Sequence, residues 1–244
     1  MLTIFIIWFF QPEVFAKNLV LKMNAPFPEK SLEGKFWQEK SLQMKKNNIE
    51  IEWLWLQPEK VALESLAKGK TDGVILSGPI LTALSPTIRG NEKPYAYSEK
   101  TDSDLFLQNN KKAIAKELLQ YDLVDWIQFY MEPIFIYSRK DFGKKINFEN
   151  LKIWVWPSDV IFKDWIVAQK AKPVSFPLRD VLTKLKSGEI DMVYGIDSAI
   201  KRLEWNSKAS FKSDRPVAHA YGHWLLREKK YLQLPPAARE LKFN

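Results

Sequence analysis

Apolar and polar positions along the chain predict a strand, helix, strand unit in each half. Asn18-Leu19-Val20-Leu21-Lys22-Met23 predicts a buried strand, ended by the proline-punctuated loop Asn24-Ala25-Pro26-Phe27-Pro28. Residues 31–46 place Leu32, Phe36, Leu42 and Met44 at helical spacing among Lys and Glu, and Ile49-Glu50-Ile51-Glu52-Trp53-Leu54-Trp55 alternates as a strand. In the second half, Leu151-Lys152-Ile153-Trp154-Val155-Trp156 predicts a strand, followed by Pro157-Ser158 and a helix from about Asp159. The long apolar segment 125–137, broken by Pro133, predicts a hinge strand joining the halves.

An internal echo ties the halves together. In Glu59–Gly78 and again in Ser175–Gly195, a Leu is followed three residues later by Gly and three later again by Asp: Leu66, Gly69, Asp72 and Leu185, Gly188, Asp191. This spacing predicts an amphipathic helix stopped by a left-handed Gly, a short turn and a buried strand. Each such strand, Val74-Ile75-Leu76 and Met192-Val193-Tyr194, delivers Ser77-Gly78 or Gly195 to the carboxyl edge of a sheet, where open α/β sheets bind ligands.

Composition changes this picture in three ways. With 244 residues, 46% of them hydrophobic, each half can bury a core of its own. Ten Trp and 15 Phe exceed what a core usually needs, so part of the aromatic surface is a candidate pocket lining. The net charge of +8 comes from scattered lysines, without a basic stripe or a nucleic-acid docking motif, so no nucleic-acid partner is expected. There is no Cys, which excludes disulfides, thiolate metal sites and Cys nucleophiles. The apolar run after Met1 is too short to span a bilayer, and Val14-Phe15-Ala16 ends in a small residue. Residues 1–16 therefore read as an export signal cleaved before Lys17, although no Lys or Arg precedes the apolar run.

Chemistry-bearing motifs are few. His219 and His223, four apart, would share a helical face, but no Cys or Glu nearby completes a metal set and Gly222 weakens a helix there. Lys68-Gly69-Lys70-Thr71 lacks the Gly five residues before Gly69 that a phosphate loop needs; Glu64 stands there. Asp72 and Asp191 occupy matched positions after helix ends, which favours turn formation over acid–base work. With no nucleophile constellation, cofactor motif or metal set in view, the chain reads as a binder and not an enzyme.

These segments resemble the periplasmic solute-binding subunits of tripartite ATP-independent periplasmic (TRAP) transporters, the DctP-like proteins. The resemblance rests on the loop Asn24–Pro28, on Leu76-Ser77-Gly78-Pro79, on Asn150–Val155 and on Ala171–Val181. It continues in Leu185–Asp191 and Leu234-Pro235-Pro236. It implies a two-lobed, type II periplasmic-binding-protein-like α/β fold, each lobe a mixed sheet flanked by helices and joined by hinge strands. The lobes are expected over residues 17–130 and 131–197, with 198–244 returning onto the first. It also implies export to the periplasm and delivery of a small organic solute, commonly a carboxylate, to the membrane subunits of a TRAP permease; a monomer is expected. The expected ligand-binding set is Asn24, Ser77, Gly78, Trp154, Trp156, Ser158, Phe176, Tyr194 and Gly195.

Two departures stand out. The family's carboxylate-binding Arg is replaced by Trp154, and the chain ends at Asn244, soon after Leu-Pro-Pro, where members of that family continue through another long helix. Trp154 and Trp156 lie on one strand face, which is either pocket or core. If pocket, the indoles suit a flat, apolar or cationic solute. The alternative function is a degenerate scaffold serving as a sensor or protein-interaction module.

Overall fold

The computed structural model describes residues 18–143 and 146–241, so the expected export signal lies outside the described residues. Nine strands form in chain order: β1 (Leu19–Asn24), β2 (Ile49–Leu54), β3 (Gly73–Ser77), β4 (Leu123–Ser138), β5 (Lys152–Trp154), β6 (Lys172–Val174), β7 (Met192–Ile196), β8 (Phe211–Lys212) and β9 (Ala218–Arg227). They join in one sheet, in the order β2-β1-β3-β9-β4-β7-β5-β6, with β8 added beside β4. Counted inward from either edge, each half places its second strand outside its first and then its third. The halves thus share a topology as well as a sequence echo. β2, β1 and β3 run parallel, as do β6, β5 and β7, while the long β4 and β9 run antiparallel to their neighbours.

Side-chain alternation divides each half-sheet into two buried faces, which explains the near-continuous apolar runs of β3 and β7. In the first lobe, Ile75, Trp224 and Leu226 join Leu21 and Met23 under α1 (Leu32–Lys45). On the opposite face, Val74, Leu76, Tyr221 and Leu225 pack on α2 (Glu59–Ala67), α3 (Gly78–Leu81) and α4 (Lys100–Leu119). In the second lobe, Ile153, Val155, Met192 and Tyr194 face α5 (Val160–Ala168), whereas Trp154 and Val193 face α6 (Val181–Ser187) and α7 (Asp197–Arg202). The short α8 (Glu228–Tyr231) and α9 (Pro236–Arg239) return to the first lobe, where Tyr231, Leu234 and Ala238 join the α1 face.

The crossing between lobes falls where Pro133 predicts it. β4 pairs with β9 from Leu123 to Tyr130, shifts register before Pro133↔His219, and from Ile134 also pairs with β7. Proline lacks an N–H to donate to a ladder, so it suits this irregular point. Of the segment expected to return onto the first lobe, Ile200, Trp205 and Ala209 enter the α6 face of the second lobe and Val217 its α5 face, while Arg202 reaches Glu33 of α1. Their apolar side chains complete that core, and the chain crosses back only along β9.

The echoed turns are built alike. Gly69 (φ +68°) and Gly188 (φ +81°) end α2 and α6 in the left-handed region, which a Cβ penalises. The carboxylate of Asp72 accepts the Lys22 N–H at 2.9 Å, and that of Asp191 accepts the Lys152 N–H at the same distance. One carboxylate thereby fastens the middle of β1 and the other the start of β5.

Candidate inter-lobe site

The carboxyl ends of β3 and β7 point toward the junction of the lobes, because Ser77 pairs with Gly222 and Ile196 with Ile134, either side of the Pro133↔His219 crossing, and β1 and β5 run parallel to them. At β3, Ser77 and Gly78 turn directly into α3. A Cβ on Gly78 would lie 2.2 Å from a carboxylate oxygen of Glu92, so only glycine lets that side chain settle against the strand end. Glu59, at the start of α2, accepts the Ser77 N–H at 2.5 Å. Burial holds the Glu59 carboxyl above its ordinary value despite that bond.

The second lobe meets this edge with Asp159, the N-cap of α5. One oxygen accepts the Phe162 N–H at 2.9 Å, and the other accepts the Tyr194 hydroxyl at 2.7 Å. The Tyr194 oxygen in turn accepts the Trp156 N–H at 3.3 Å, and its ring stacks on Phe162 with centroids 3.7 Å apart. Behind Glu92, on β9, His223 contacts a carboxylate oxygen of Asp125 through Nδ1 at 2.8 Å. Glu92, Asp159, Tyr194 and His223 are all at least nine-tenths buried.

Burial first, and then the negative charge of Asp159, pushes the Glu92 carboxyl up to about 8, against the opposing pull of His223 and the Asn91 side chain. Burial also raises Asp159, although the Phe162 and Tyr194 bonds favour its charged form. Burial works against a charged His223, but Asp125 and Glu92 outweigh it and hold the ring above its ordinary value. No hydroxyl or amine is hydrogen-bonded to His223 as a nucleophile would be, among the described residues.

The nine expected ligand residues divide. Ser77, Gly78, Trp156, Ser158, Tyr194 and Gly195 lie at the strand ends facing the junction. Asn24 is 1% exposed and its amide is engaged inside the first lobe, donating to Thr71 Oγ1 at 3.0 Å and the Ala62 carbonyl at 3.4 Å. Trp154 is 3% exposed: its indole N–H bonds the Phe176 carbonyl at 3.1 Å and its ring sits edge-on to Trp205 at 5.0 Å. It is core, on the α6 face. Phe176 packs on that same core with the Lys184 ammonium 5.1 Å from its ring centre. His219 and His223 lie on β9 and not on a helix, so four residues separate them by about 13 Å.

Sequence reasoning missed Glu59, Glu92 and Asp125. Asp159 was visible only as a helix start, and nothing in the local pattern marks Glu92, which sits in an irregular stretch. The excess of tryptophan also has its explanation in the cores. Trp224 is fully buried, with Trp37 edge-on and Trp126 tilted against it, each at 5.0 Å.

The strand order and the two lobes define an α/β fold of the periplasmic-binding-protein type. No family model matches the chain, and a search of the curated proteins returns no match. Among solved structures, the chain is similar to TRAP periplasmic solute-binding proteins. One, from Ochrobactrum anthropi, is 13% identical with a TM-score of 0.79, over 92% of this chain and 73% of that one. An extracytoplasmic solute receptor of Bordetella pertussis binding pyroglutamic acid is 13% identical, with a TM-score of 0.77 over 91% and 75%. A Haemophilus influenzae protein with bound L-gulonate is 19% identical, with a TM-score of 0.73 over 91% and 75%. At these identities the likeness establishes the fold.

Proposed function

We propose that this chain is an extracytoplasmic solute-binding protein that captures a small organic solute between its lobes and delivers it to a TRAP-type membrane permease, without chemical transformation. The observation that carries this reading is the junction itself: strand ends of both lobes converge on one buried polar group built from Glu92, Asp159 and Tyr194. Two further features support a trap that opens and closes. The two long strands β4 and β9 cross between the lobes, with a register shift at the crossing. Across the mouth, Arg202 of α7 forks onto Glu33 in the first turn of α1, at 2.6 and 2.9 Å.

A solute bound only by the folded protein stabilises it by RT ln(1 + [L]/Kd), about 2.7 kcal/mol at a hundredfold excess over Kd. A thermal-shift screen of organic acids, amino acids, amines and sugars on the purified chain is therefore expected to return a solute that raises Tm. A flat response across the panel would remove the receptor reading and leave the scaffold as a sensor or protein-interaction module.

A further inference from the structure

We propose that residues 91–99, a segment of the first lobe, form a strap that crosses to the second lobe and latches the two together through Tyr95. Such a latch belongs to the chain itself, with or without a solute.

Both ends of the segment are fixed in the first lobe. The Asn91 N–H bonds the Ile88 carbonyl at 2.9 Å, and Ile88 is buried in the core under α2 and α4. The Asn91 side-chain oxygen accepts the Ser103 hydroxyl of α4 at 2.6 Å. Glu92 rests against Gly78 at the end of β3. At the other end, Tyr97 packs on Phe106 of α4 with ring centroids 5.6 Å apart, and α4 itself begins at Lys100.

Between these anchors the chain makes a tight turn. The Ala96 N–H bonds the Lys93 carbonyl at 3.1 Å, so Lys93-Pro94-Tyr95-Ala96 is a hydrogen-bonded four-residue turn with proline at its second position. The third residue, Tyr95, has φ +59°, where a turn of this kind favours Gly or Asn because a Cβ is penalised. Among the described residues, Tyr95 is the one aromatic side chain at positive φ. The partners that hold it there lie in the second lobe. Its N–H donates to the Val217 carbonyl at 2.6 Å, and its ring meets Trp165 of α5 edge-on at 5.7 Å. The Arg215 guanidinium lies 4.6 Å from the centre of the same ring. Trp165 is itself held by Phe148 and Phe162, and Tyr95 packs against the core to which Val217 belongs.

With its ends in one lobe and its tip in the other, the strap makes separation of the lobes conditional. Opening must break the Tyr95–Val217 bond and strip the ring from Trp165 and Arg215. The strap starts at Glu92 beside Ser77-Gly78, so the latch closes at the edge proposed to hold the solute. Unlike the part-exposed Glu33–Arg202 pair, it is made of a backbone bond and ring contacts, so much of its hold persists when salt screens charges.

The test uses the full chain without solute. Because the chain has no Cys, nitroxide labels at Leu42→Cys on α1 and Val167→Cys on α5, both exposed, report the distance between lobes by pulsed electron resonance. Hydrogen exchange of residues 93–97 is read by mass spectrometry on the same proteins. Tyr95→Gly removes the ring and also relieves the left-handed backbone. The expected result is a longer, broader distance distribution and exchange of that segment about tenfold faster or more, with the Gly69 and Gly188 turns unchanged. Tyr95→Phe, which keeps ring and backbone, should match the parent, and Arg215→Ala should shift in the same direction by less. If Tyr95 serves only the turn, glycine suits the position better and leaves distance and exchange as in the parent, which overturns the latch. A folded variant whose exchange rises equally at the Gly69 and Gly188 turns also overturns it. Should a melting curve show that Tyr95→Gly does not fold, Trp165→Leu and Arg215→Ala decide, and parent-like distances and exchange in both overturn the latch. None of these outcomes bears on whether a solute binds, so the receptor reading stands or falls separately.

Discussion

The two lobes are nearly interchangeable at their outer ends and unlike each other where they meet. At the outer end of the first lobe, Asp72 holds the Lys22 N–H, its carbonyl accepts the Arg227 N–H at 2.9 Å, and the Arg227 guanidinium covers Gly69. At the outer end of the second, Asp191 holds the Lys152 N–H, its carbonyl accepts the Arg139 N–H at 3.0 Å, and Arg139 covers Gly188. Four groups recur in the same roles, 119 residues apart for the two aspartates. The inner ends share nothing of the kind. Counting on from the matched Lys22 and Lys152, Asn24 corresponds to Trp154; counting on from the matched aspartates, Ile75 corresponds to Tyr194, and Leu76, Ser77 and Gly78 to Gly195, Ile196 and Asp197. The outer ends carry what any strand-turn-helix unit needs, and the inner ends carry what distinguishes this site.

The largest expected effect breaks the comparison at Trp154. Putting back the arginine of the family resembled, as Trp154→Arg, places a guanidinium among Val181, Trp205 and Tyr137, where the neighbouring Asp197 carboxylate is already taken by the Tyr137 hydroxyl and Lys212. An uncompensated buried charge costs about 3–5 kcal/mol, and the lost indole packing adds to it. Urea unfolding is expected to show that loss, with no gain of glucuronate binding. A variant as stable as the parent that binds glucuronate would return Trp154 to the solute site.

The next effect sharpens the contrast through pH. Glu92 ionises at about 8 in the folded chain against an ordinary 4.5, so folding favours its protonated form. Its contribution to stability is complete below about 4.5, falls as pH rises and is gone above about 8, with a slope of up to about 1.4 kcal/mol per pH unit. Asp159 and Glu59, also raised, act with the same sign, and raised His223 joins only above its ordinary 6.5. Chemical unfolding of Glu92→Gln between pH 5 and 8 should therefore give a shallower decline than the parent. Parallel curves would show that the junction carboxyl is not buried as described.

The outer ends were legible because they are local. A left-handed Gly and an Asp that closes a turn announce themselves at fixed spacing, as Leu66-Gly69-Asp72 and Leu185-Gly188-Asp191 did, and the strands beside them follow from alternation. The hinge was legible through Pro133. The junction was not, because its members meet only after folding: Glu92 and Asp159 are 67 residues apart, and Glu92 and His223 are 131 apart. Trp154 misled for a related reason. Alternation shows that residues 154 and 156 share a face but not which face, and the deciding partners, Val181 and Trp205, arrive later in the chain.

A smaller effect tests whether the outer ends are equivalent in energy as well as geometry. Asp72→Ala and Asp191→Ala each remove a carboxylate hydrogen bond to a strand amide, worth about 1.5–3 kcal/mol. The two losses in urea unfolding should agree within about 0.5 kcal/mol and add in the double variant, since the sites are far apart and share no partner. Unequal losses would mean that Lys230, 3.3 Å from Asp72, and Arg139, 4.0 Å from Asp191, contribute differently.

The smallest effect concerns the Glu33–Arg202 pair, which joins one inner end to the other. Both side chains are part-exposed, at 28% and 46%, so their coupling in a double-mutant cycle should be only about 0.2–1 kcal/mol. Desolvation by burial opposes the charged form of Glu33, but the bonds from Arg202 and the helix N-terminus outweigh it and hold the carboxyl below its ordinary value. What the pair adds is therefore present above pH 4.5 and is lost as pH falls through the folded value. Its consequence is positional, because it is made only when the lobes approach. Small-angle scattering of Arg202→Ala should show a larger radius of gyration than the parent, with the urea midpoint nearly unchanged. Raising salt should move the parent toward the variant. A variant that loses stability without expanding would place the pair among the structural contacts of the fold, and the approach of the lobes would then rest on the Tyr95 contacts and the Glu92–Asp159 junction.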